Sequence, residues 1–305
     1  MKRDKAQKRF MVMMLLPALF MMTCFVAIPG VRALLYSLQK WNGLSTPEWV
    51  GLANFRKLLT DTDVVLPAIG HSLFLMVTVG TLTMCLALSF AAMLHRKVRG
   101  AGLFRVTFFF PNIIAAVAVA LLWVLLYSAT DFGVVNGFLG WVQETSIWSA
   151  LGLPAIEVPY PFLDSNNLLY AMVPMLVWAA TGFYMVLFLA GMQSIPESYY
   201  EAAKLDGATG IQQFFHITLP LMREVITVGL VFLVINLLKI FDPIWIMENE
   251  RPNKESHVLS TVLYQRVFTE FNVGYGSAVA VLLFAMVFVA TLISLRLSRR
   301  ERLEY

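Results

Sequence analysis

Six long apolar runs divide the chain, and polar segments separate them. Each run has about 20 residues or more, the length that an α-helix needs to cross a bilayer. None shows the period-two alternation of barrel strands, and in hydrocarbon only helices and closed barrels satisfy every backbone amide. The pattern therefore predicts an all-α membrane protein whose six spans form one bundle, at about 10–36, 68–94, 103–127, 167–191, 224–247 and 274–297.

Composition supports the same interpretation. Of the 305 residues, 59% are hydrophobic and 14% are charged, and the mean hydropathy is +0.72. Cys24 and Cys85 both lie in apolar runs, so neither a disulfide framework nor a metal site is expected. The net charge of +4 is not gathered into a basic patch with interleaved aromatic residues, which argues against a nucleic-acid partner. We expect a single domain over 1–305, with membrane lipid around it.

The N-terminal run resembles a secretory signal only at first sight. Residues 1–9 are basic and an apolar run begins at Phe10. This run continues past Pro29 to about Leu38 without a small-residue cleavage site, so it is too long for a signal peptide. We expect a retained first span.

The distribution of Lys and Arg predicts the orientation, because cytoplasmic segments hold the excess of positive charge. With the N-terminus inside, the outer loops hold Lys40, Arg56, Lys57, Arg251, Lys254 and Arg266. The inner segments hold a larger set: Lys2, Arg3, Lys5, Lys8, Arg9, Arg96, Lys97, Arg99, Arg105, Lys204, Arg223, Arg296, Arg299, Arg300 and Arg302. Both termini are therefore predicted to be cytoplasmic, in the cell (plasma or inner) membrane.

The longest outer loop, about 128–166, carries no Lys or Arg. It contains Trp141, Trp148 and Tyr160 together with three prolines, which favours an ordered cap over a free tether. Its role stays open between a docking surface for an external partner and a plain connector.

The sequence of the inner loop at 193–222 predicts two short helices. Ser194 and Glu197 have the spacing of a capping box, and Gly207 can supply the left-handed residue that ends a helix. Thr209 and Gln212 repeat the capping-box spacing before Pro220 introduces the fifth span. A helix of about ten residues must bury one face on something. Its residues alone leave two readings open, a docking surface and a connector packed on its own bundle.

A sequence motif in this loop indicates a resemblance to a known protein family. Glu201-Ala202-Ala203, Gly207, Ile217 and Leu219-Pro220 match in full the E-A-A-x-x-x-G-x(9)-I-x-L-P signature (the EAA motif). On this motif the chain resembles the permeases of binding-protein-dependent ABC importers. Ser194-Ile195-Pro196 and the stretch 205–208 resemble the carbohydrate branch of that family, which includes maltose, multiple-sugar and glycerol-phosphate permeases. The segments 50–55, 241–245 and 274–278 also fit the family, so the similarity extends over nearly the whole chain.

The resemblance implies the type I ABC importer permease fold and a set of partners. These are a second permease subunit, two copies of a cytoplasmic ATP-binding subunit, an extracytoplasmic solute-binding protein and a sugar-like substrate. It also implies that the ATPase docks on the two short helices of the 193–222 loop, through Tyr200, Glu201, Ala202, Ala203, Asp206, Gly207, Leu219 and Pro220. ATP and Mg²⁺ would bind to the partner, since nothing here fits the phosphate-loop pattern G-x-x-x-x-G-K-[ST]. We expect no cofactor and no catalytic residue in this chain.

One departure from the family pattern lies beyond Trp245. Relatives typically carry a Thr-x-Gly-Gly-Pro turn there, whereas this chain has Glu248-Asn249-Glu250-Arg251-Pro252-Asn253. The departure concerns the outer loop and the ligand subgroup.

Polar groups inside the apolar runs are candidates for the substrate pathway. Lys239 and Asp242 could contact substrate, or pair with each other at helical spacing, and Lys239 could instead reach the membrane surface. Asn236 could bind a sugar hydroxyl or a neighbouring helix. Trp178 and Tyr184 could stack on sugar rings or simply pack.

The rival function is a secondary transporter driven by an ion gradient. Such transporters usually contain inverted repeats and helices broken near the bilayer midplane. The sequence shows neither feature.

Overall fold

The structure is a computed structural model that describes residues 2–95, 100–130, 132–145, 148, 152 and 154–298. Six of the cations used to predict the orientation lie outside these residues: Arg96, Lys97, Arg99, Arg299, Arg300 and Arg302.

Helices make up most of the described chain. A small antiparallel ladder, unforeseen from the sequence, pairs β1 (Gln39–Lys40) with β2 (Glu48–Trp49). The helices are α1 (Lys2–Met22), α2 (Ile28–Ser37), α3 (Ala53–Thr60), α4 (Val65–His95), α5 (Ala101–Ile113), α6 (Ala116–Leu126), α7 (Val134–Glu144), α8 (Ser165–Gln193), α9 (Glu197–Leu205), α10 (Gly210–Gln213), α11 (Leu219–Leu221), α12 (Arg223–Leu238), α13 (Asp242–Met247), α14 (Leu259–Tyr264) and α15 (Val273–Ser298). Single π-helical turns occupy Thr23–Ala27, Phe214–Thr218 and Gln265–Thr269.

Five stretches of the described chain are long and apolar enough to cross a membrane, and they match five predicted spans. They are Phe10–Ser37, Val65–His95, Ser165–Gln193, Arg223–Met247 and Val273–Arg296.

The remaining apolar run is bent. Helices α5 and α6 meet at 99°, because Ile114 and Ala115 are extended, with ψ of 139° and 136°. Pro111, which lacks an amide hydrogen, weakens the last turn of α5. A continuous helix over 103–127 therefore does not form. The count of six spans is reached if the bent pair is one span, and it stays a prediction.

The described chain forms two compact units, Met1–Val65 with Val262–Phe284 and Leu66–Thr261 with Ala285–Tyr305. The expectation of one domain over 1–305 stays a prediction.

In the first unit, Asn54 and Gly274 hold the loop after α2 in place. The Asn54 side-chain amide donates to the carbonyls of Ser37 and Gln39, at 2.9 and 2.8 Å. The Gly274 amide donates to the Trp41 carbonyl at 3.0 Å. A methyl group on Gly274 would overlap the Gln39 carbonyl, so this close approach requires glycine. Motif residues at 50–55 and 274–278 thus have a structural role.

Asp61 is the centre of a polar cluster in the same unit. The Tyr275 hydroxyl donates to Asp61 Oδ2 at 2.8 Å, and the Val64 amide donates to Oδ1 at 3.0 Å. Arg266 lies 3.8 Å from Oδ2 and binds Glu270 at 2.6 Å. Burial raises the pKa of Asp61, but these hydrogen bonds and the Arg266 charge outweigh burial and hold the pKa below its usual value.

Helix α8 is the central element of the second unit. In the most apolar 18-residue stretch of this helix, 56% of the residues are buried. The corresponding value for Phe10–Ser37 in the first unit is 0%. Met172, Met185 and Phe188 are fully buried. A methyl group on Gly182 would overlap the Phe108 carbonyl, so α5 and α8 pack backbone against backbone.

Candidate functional site

The 193–222 loop contains the two short helices that the sequence predicts, α9 and α10. The capping box predicted at Ser194 and Glu197 is wrong. Pro196 is the N-cap residue of α9 and provides no side-chain cap. The Ser194 hydroxyl instead donates to the Gly191 carbonyl at 2.8 Å, which caps the end of α8.

Gly207 ends α9 as predicted. Its φ is +78°, in the left-handed region that favours glycine. Its amide donates to Lys204 at 3.0 Å, and the Ala208 amide donates to Ala203 at 2.9 Å. These two bonds form a Schellman motif, which satisfies the last carbonyls of α9 and turns the chain sharply towards α10.

The second capping box is confirmed. Thr209 and Gln212 exchange bonds between side chains and backbone amides, at 3.4 and 2.7 Å. Beyond α10, the π-helical turn leads into α11, where Pro220 occupies one of the first two positions. Leu219 is half-buried and Pro220 is exposed.

Tyr200 joins the two arms of the loop. Its hydroxyl lies 3.0 Å from Thr218 Oγ1, and its ring is 5.8 Å from the ring of His95 at the end of α4. Tyr200 is half-buried and Thr218 is buried, so this predicted coupling residue faces inwards and fixes the angle of α9.

The other face of α9 is open. Glu201, Ala202 and Asp206 are exposed. Leu205 is 90% exposed and Ile211 is 71% exposed, which leaves two aliphatic side chains at the elbow between α9 and α10. Sequence reasoning missed this pair, although apolar residues at the tips of short helices outside the membrane runs were a usable signal.

A cavity of about 580 Å³ lies at the bend between α5 and α6. Four of the five predicted pathway residues line it, namely Tyr184, Asn236, Lys239 and Asp242. Residues at the bend also line it, including Pro111 and Asn112, which the sequence analysis did not single out. A Pro-Asn pair inside an apolar run was the available signal.

The Asn236 side chain hydrogen-bonds to the Tyr184 hydroxyl. Of the two partners left open for Asn236, the structure therefore supplies a neighbouring helix. Asn236 is nonetheless exposed to the cavity, and an amide has more donors and acceptors than one hydroxyl satisfies.

Lys239 and Asp242 do not share a helical face. Helix α12 ends at Leu238 and α13 begins at Asp242, so the i, i+3 geometry is lost. Among the described residues there is no ion pair between them. Lys239 caps a helix C-terminus and Asp242 opens a helix N-terminus, and each helix dipole favours the charge at that end.

Trp178 does not line the cavity. Its ring lies 6.2 Å from that of Trp123, and 37% of the residue is exposed. The choice between stacking on a sugar and packing stays a prediction for Trp178.

Comparison with known proteins identifies the family. Residues 84–303 match the model of the binding-protein-dependent transport system inner membrane component. The diacetylchitobiose uptake permease NgcF of Streptomyces coelicolor is 31% identical over 87% of this chain and 75% of its own length. The trehalose/maltose transport permease MalF of Thermococcus litoralis is 30% identical over 95% of this chain and 94% of its own length.

Solved structures agree in fold. A chain of a bacterial alginate ABC transporter, crystallised with an alginate pentasaccharide-bound periplasmic protein, superposes with a TM-score of 0.81 at 23% identity, covering 98% of this chain and 96% of that one. Ion-driven transporters usually contain broken helices, so the break between α5 and α6 removes one argument against that rival function. The family match, however, covers both the 193–222 loop and the cavity. The chain therefore belongs to the family of inner membrane components of binding-protein-dependent transport systems, the ABC importer permeases.

Proposed function

We propose that this permease forms half of the translocation pathway for a sugar or oligosaccharide, pairs with a second permease, and couples through its 193–222 loop to a separate ATPase subunit. ATP and Mg²⁺ bind to two copies of that partner. Both termini are cytoplasmic, and an extracytoplasmic binding protein delivers the solute.

The open face of α9 is the observation that carries the coupling role. Glu201, Ala202 and Leu205 are exposed on α9, and Ile211 is exposed on α10. The aliphatic side chains of Leu205 and Ile211 have no cover in the described chain. Exposed aliphatic groups on a loop outside the spans are typical of a docking surface. Because the Schellman motif and the Tyr200–Thr218 contact hold the loop rigid, a push on α9 passes into α12.

The sugar assignment rests on the relatives and on the cavity. The relatives above transport diacetylchitobiose or trehalose and maltose, as their names state. In this chain the cavity at the bend presents an amide, a phenol, a carboxylate and an ammonium group, from Asn236, Tyr184, Asp242 and Lys239. Such groups can donate to and accept from the hydroxyls of a sugar.

The coupling role is tested with the assembled importer in liposomes. Glu201→Lys reverses a charge on the open face of α9, and we expect it to abolish ATP-driven uptake and binding of the ATPase subunit, with membrane insertion intact. Glu157→Lys makes the same change in the 128–166 loop and is the control for ATPase binding. Normal uptake and normal ATPase binding in Glu201→Lys would refute the docking assignment.

The energy source distinguishes the proposed ATP-driven importer from the rival function, an ion-driven secondary transporter. Uptake by this permease should require the ATPase partner and ATP. Uptake by the purified chain alone, driven by an imposed ion gradient, would instead support a secondary transporter.

A further inference from the structure

Helix α7 has its polar and apolar sides exchanged relative to a helix on a water-soluble protein. Val134, Phe138 and Trp141 are spaced four and three residues apart, and 64%, 62% and 62% of them are exposed. We call these three residues the α7 stripe. A surface helix in water turns such a stripe towards the core.

The opposite side of α7 is held by amides. Asn136 is buried, and its side chain donates to the carbonyls of Ser128 and Tyr160 at 3.0 and 3.2 Å and accepts from the Tyr160 amide at 2.7 Å. Gln143, two turns later, exchanges bonds of 2.9 and 2.7 Å with Ile156. These bonds fix the rotation of α7, so the stripe cannot turn inwards without breaking them.

The length of α5 bears on the depth at which α7 lies in the membrane. Helix α5 has 13 residues, a rise of about 20 Å at about 1.5 Å per residue. The hydrocarbon layer is about 30 Å thick. With α5 upright, the 99° bend turns α6 nearly parallel to the membrane plane, so α6 carries the chain little further across the hydrocarbon layer. Helix α7 begins seven residues after α6 ends, and we therefore expect it near the membrane boundary.

The surface beside α7 is lipid-like in composition. On α6, Leu121, Leu122 and Leu125 are 52%, 43% and 63% exposed. Glu144 is the one charged side chain within α7 and stands at its C-terminal end. An uncharged stripe that continues an exposed membrane helix fits lipid tails and headgroups better than it fits a water-soluble partner.

We propose that α7 is an interfacial helix whose stripe inserts into the lipid leaflet opposite to the 193–222 loop, with Trp141 as its aromatic anchor. Segment 128–166 has no Lys or Arg, so the partner is the zwitterionic or neutral headgroup region and not an anionic lipid site. Anchoring at α7 holds the outer end of α6, and with it the bend that lines the cavity. The inference does not depend on the proposed substrate.

Spin-label accessibility tests the proposal on the full importer in phosphatidylcholine nanodiscs. In a background with Cys24→Ala and Cys85→Ala, nitroxides are placed at Phe138→Cys and Trp141→Cys. Glu157→Cys, at an exposed position of the same loop, is the control. We expect oxygen, which partitions into lipid, to relax the labels at 138 and 141 more than a water-soluble nickel chelate does, and the reverse at 157.

Two other results would overturn the proposal. Low accessibility of the 138 and 141 labels to both reagents would mean that a protein covers the stripe, such as the second permease or the binding protein. Dominant relaxation by nickel at these positions would mean that the stripe faces water.

A second measurement avoids the cysteine variants. The chain has seven tryptophans, and phosphatidylcholine brominated near the headgroup should quench part of their fluorescence. We expect the quenched fraction to fall in Trp141→Phe. An unchanged fraction would contradict insertion of Trp141, whether or not the labelled proteins assemble.

Discussion

The hydroxyl of Tyr200 lies 3.0 Å from Thr218 Oγ1, and through this contact α9 is tied to the turn that leads into α11 and α12. The contact bridges 18 residues of sequence within one loop. A single hydrogen bond of this kind contributes about 1 kcal/mol, enough to bias the angle of a short helix.

Removing this contact should loosen coupling without removing the docking face. We expect Tyr200→Phe to retain ATPase binding but to lower uptake per ATP hydrolysed, and Thr218→Val to do the same. A double-mutant cycle checks the cause, because the two losses should not add if they reflect one bond. Fully additive losses would show that the residues act separately.

Gly207→Ala should destabilise the 193–222 loop and thereby the coupling that we propose for it. At a φ of +78°, an L-residue costs about 1–2 kcal/mol more than glycine. We expect lower ATPase stimulation by substrate-loaded binding protein, and a milder effect in Gly207→Asn. Gly210→Ala is the control, since Gly210 begins α10 without a positive φ. Equal effects at 207 and 210 would count against the role of the left-handed turn.

Glu250→Gly should stabilise the protein. Asn249 and Glu250 have φ of +50° and +63°, and Glu250 stands where the family pattern has a Gly residue. Removing the left-handed strain at Glu250 should raise the free energy of unfolding by about 1–2 kcal/mol. The greater conformational entropy of glycine in the unfolded chain lowers this gain by about 0.4–1 kcal/mol. Thermal unfolding in detergent should show a higher midpoint for Glu250→Gly. Arg251→Gly lacks the strain and should show a lower one; the reverse order would contradict this account.

Asp61 should make stability fall at acid pH. Its folded-state pKa lies below its usual value, so its contribution is complete above about pH 4 and is lost as the pH falls through the folded pKa. We expect Asp61→Asn to lower the unfolding midpoint at pH 7, and the gap to the parent protein to narrow below about pH 4. Exposed Asp63→Asn is the control, and a gap that stays constant with pH would argue against this linkage.

Gly182→Ala should disrupt the packing of α5 on α8. The added methyl group meets the Phe108 backbone, which cannot move aside as a side chain can. Overpacking of this kind costs about 1–3 kcal/mol. Gly70→Ala is the matched control, because nothing lies within 4 Å of its added carbon. Comparable melting points for the two variants would show that α5 yields easily.

The positions of five candidate spans followed from the sequence because apolar length is set by the bilayer and not by tertiary contacts. Motif spacing likewise led to the 193–222 loop as the proposed coupling site, and Gly207 and the Thr209 capping box are local features that local sequence determines. The capping box at Ser194 failed because two acceptable caps competed there. The Ser194 hydroxyl served the helix that ends at that point instead of the one that begins.

What the sequence could not supply depends on how separate helices meet. The Tyr184–Asn236 bond joins residues 52 positions apart on two helices. The break between Leu238 and Asp242 removes the i, i+3 relation that spacing suggested for Lys239. The sequence does not show that the apolar side of α7 is exposed. That conclusion requires the long-range hydrogen bonds of Asn136, which show which side of α7 faces the protein.

The break after Ile113 also bears on how the protein is made. Its two halves contain 13 and 11 residues, and a helix needs about 20 apolar residues to cross the bilayer. Neither half is therefore long enough to cross the bilayer by itself. We expect this part of the nascent chain to wait until Ser165–Gln193 has been synthesised and to enter the bilayer together with it, so that a helical hairpin is the unit of insertion.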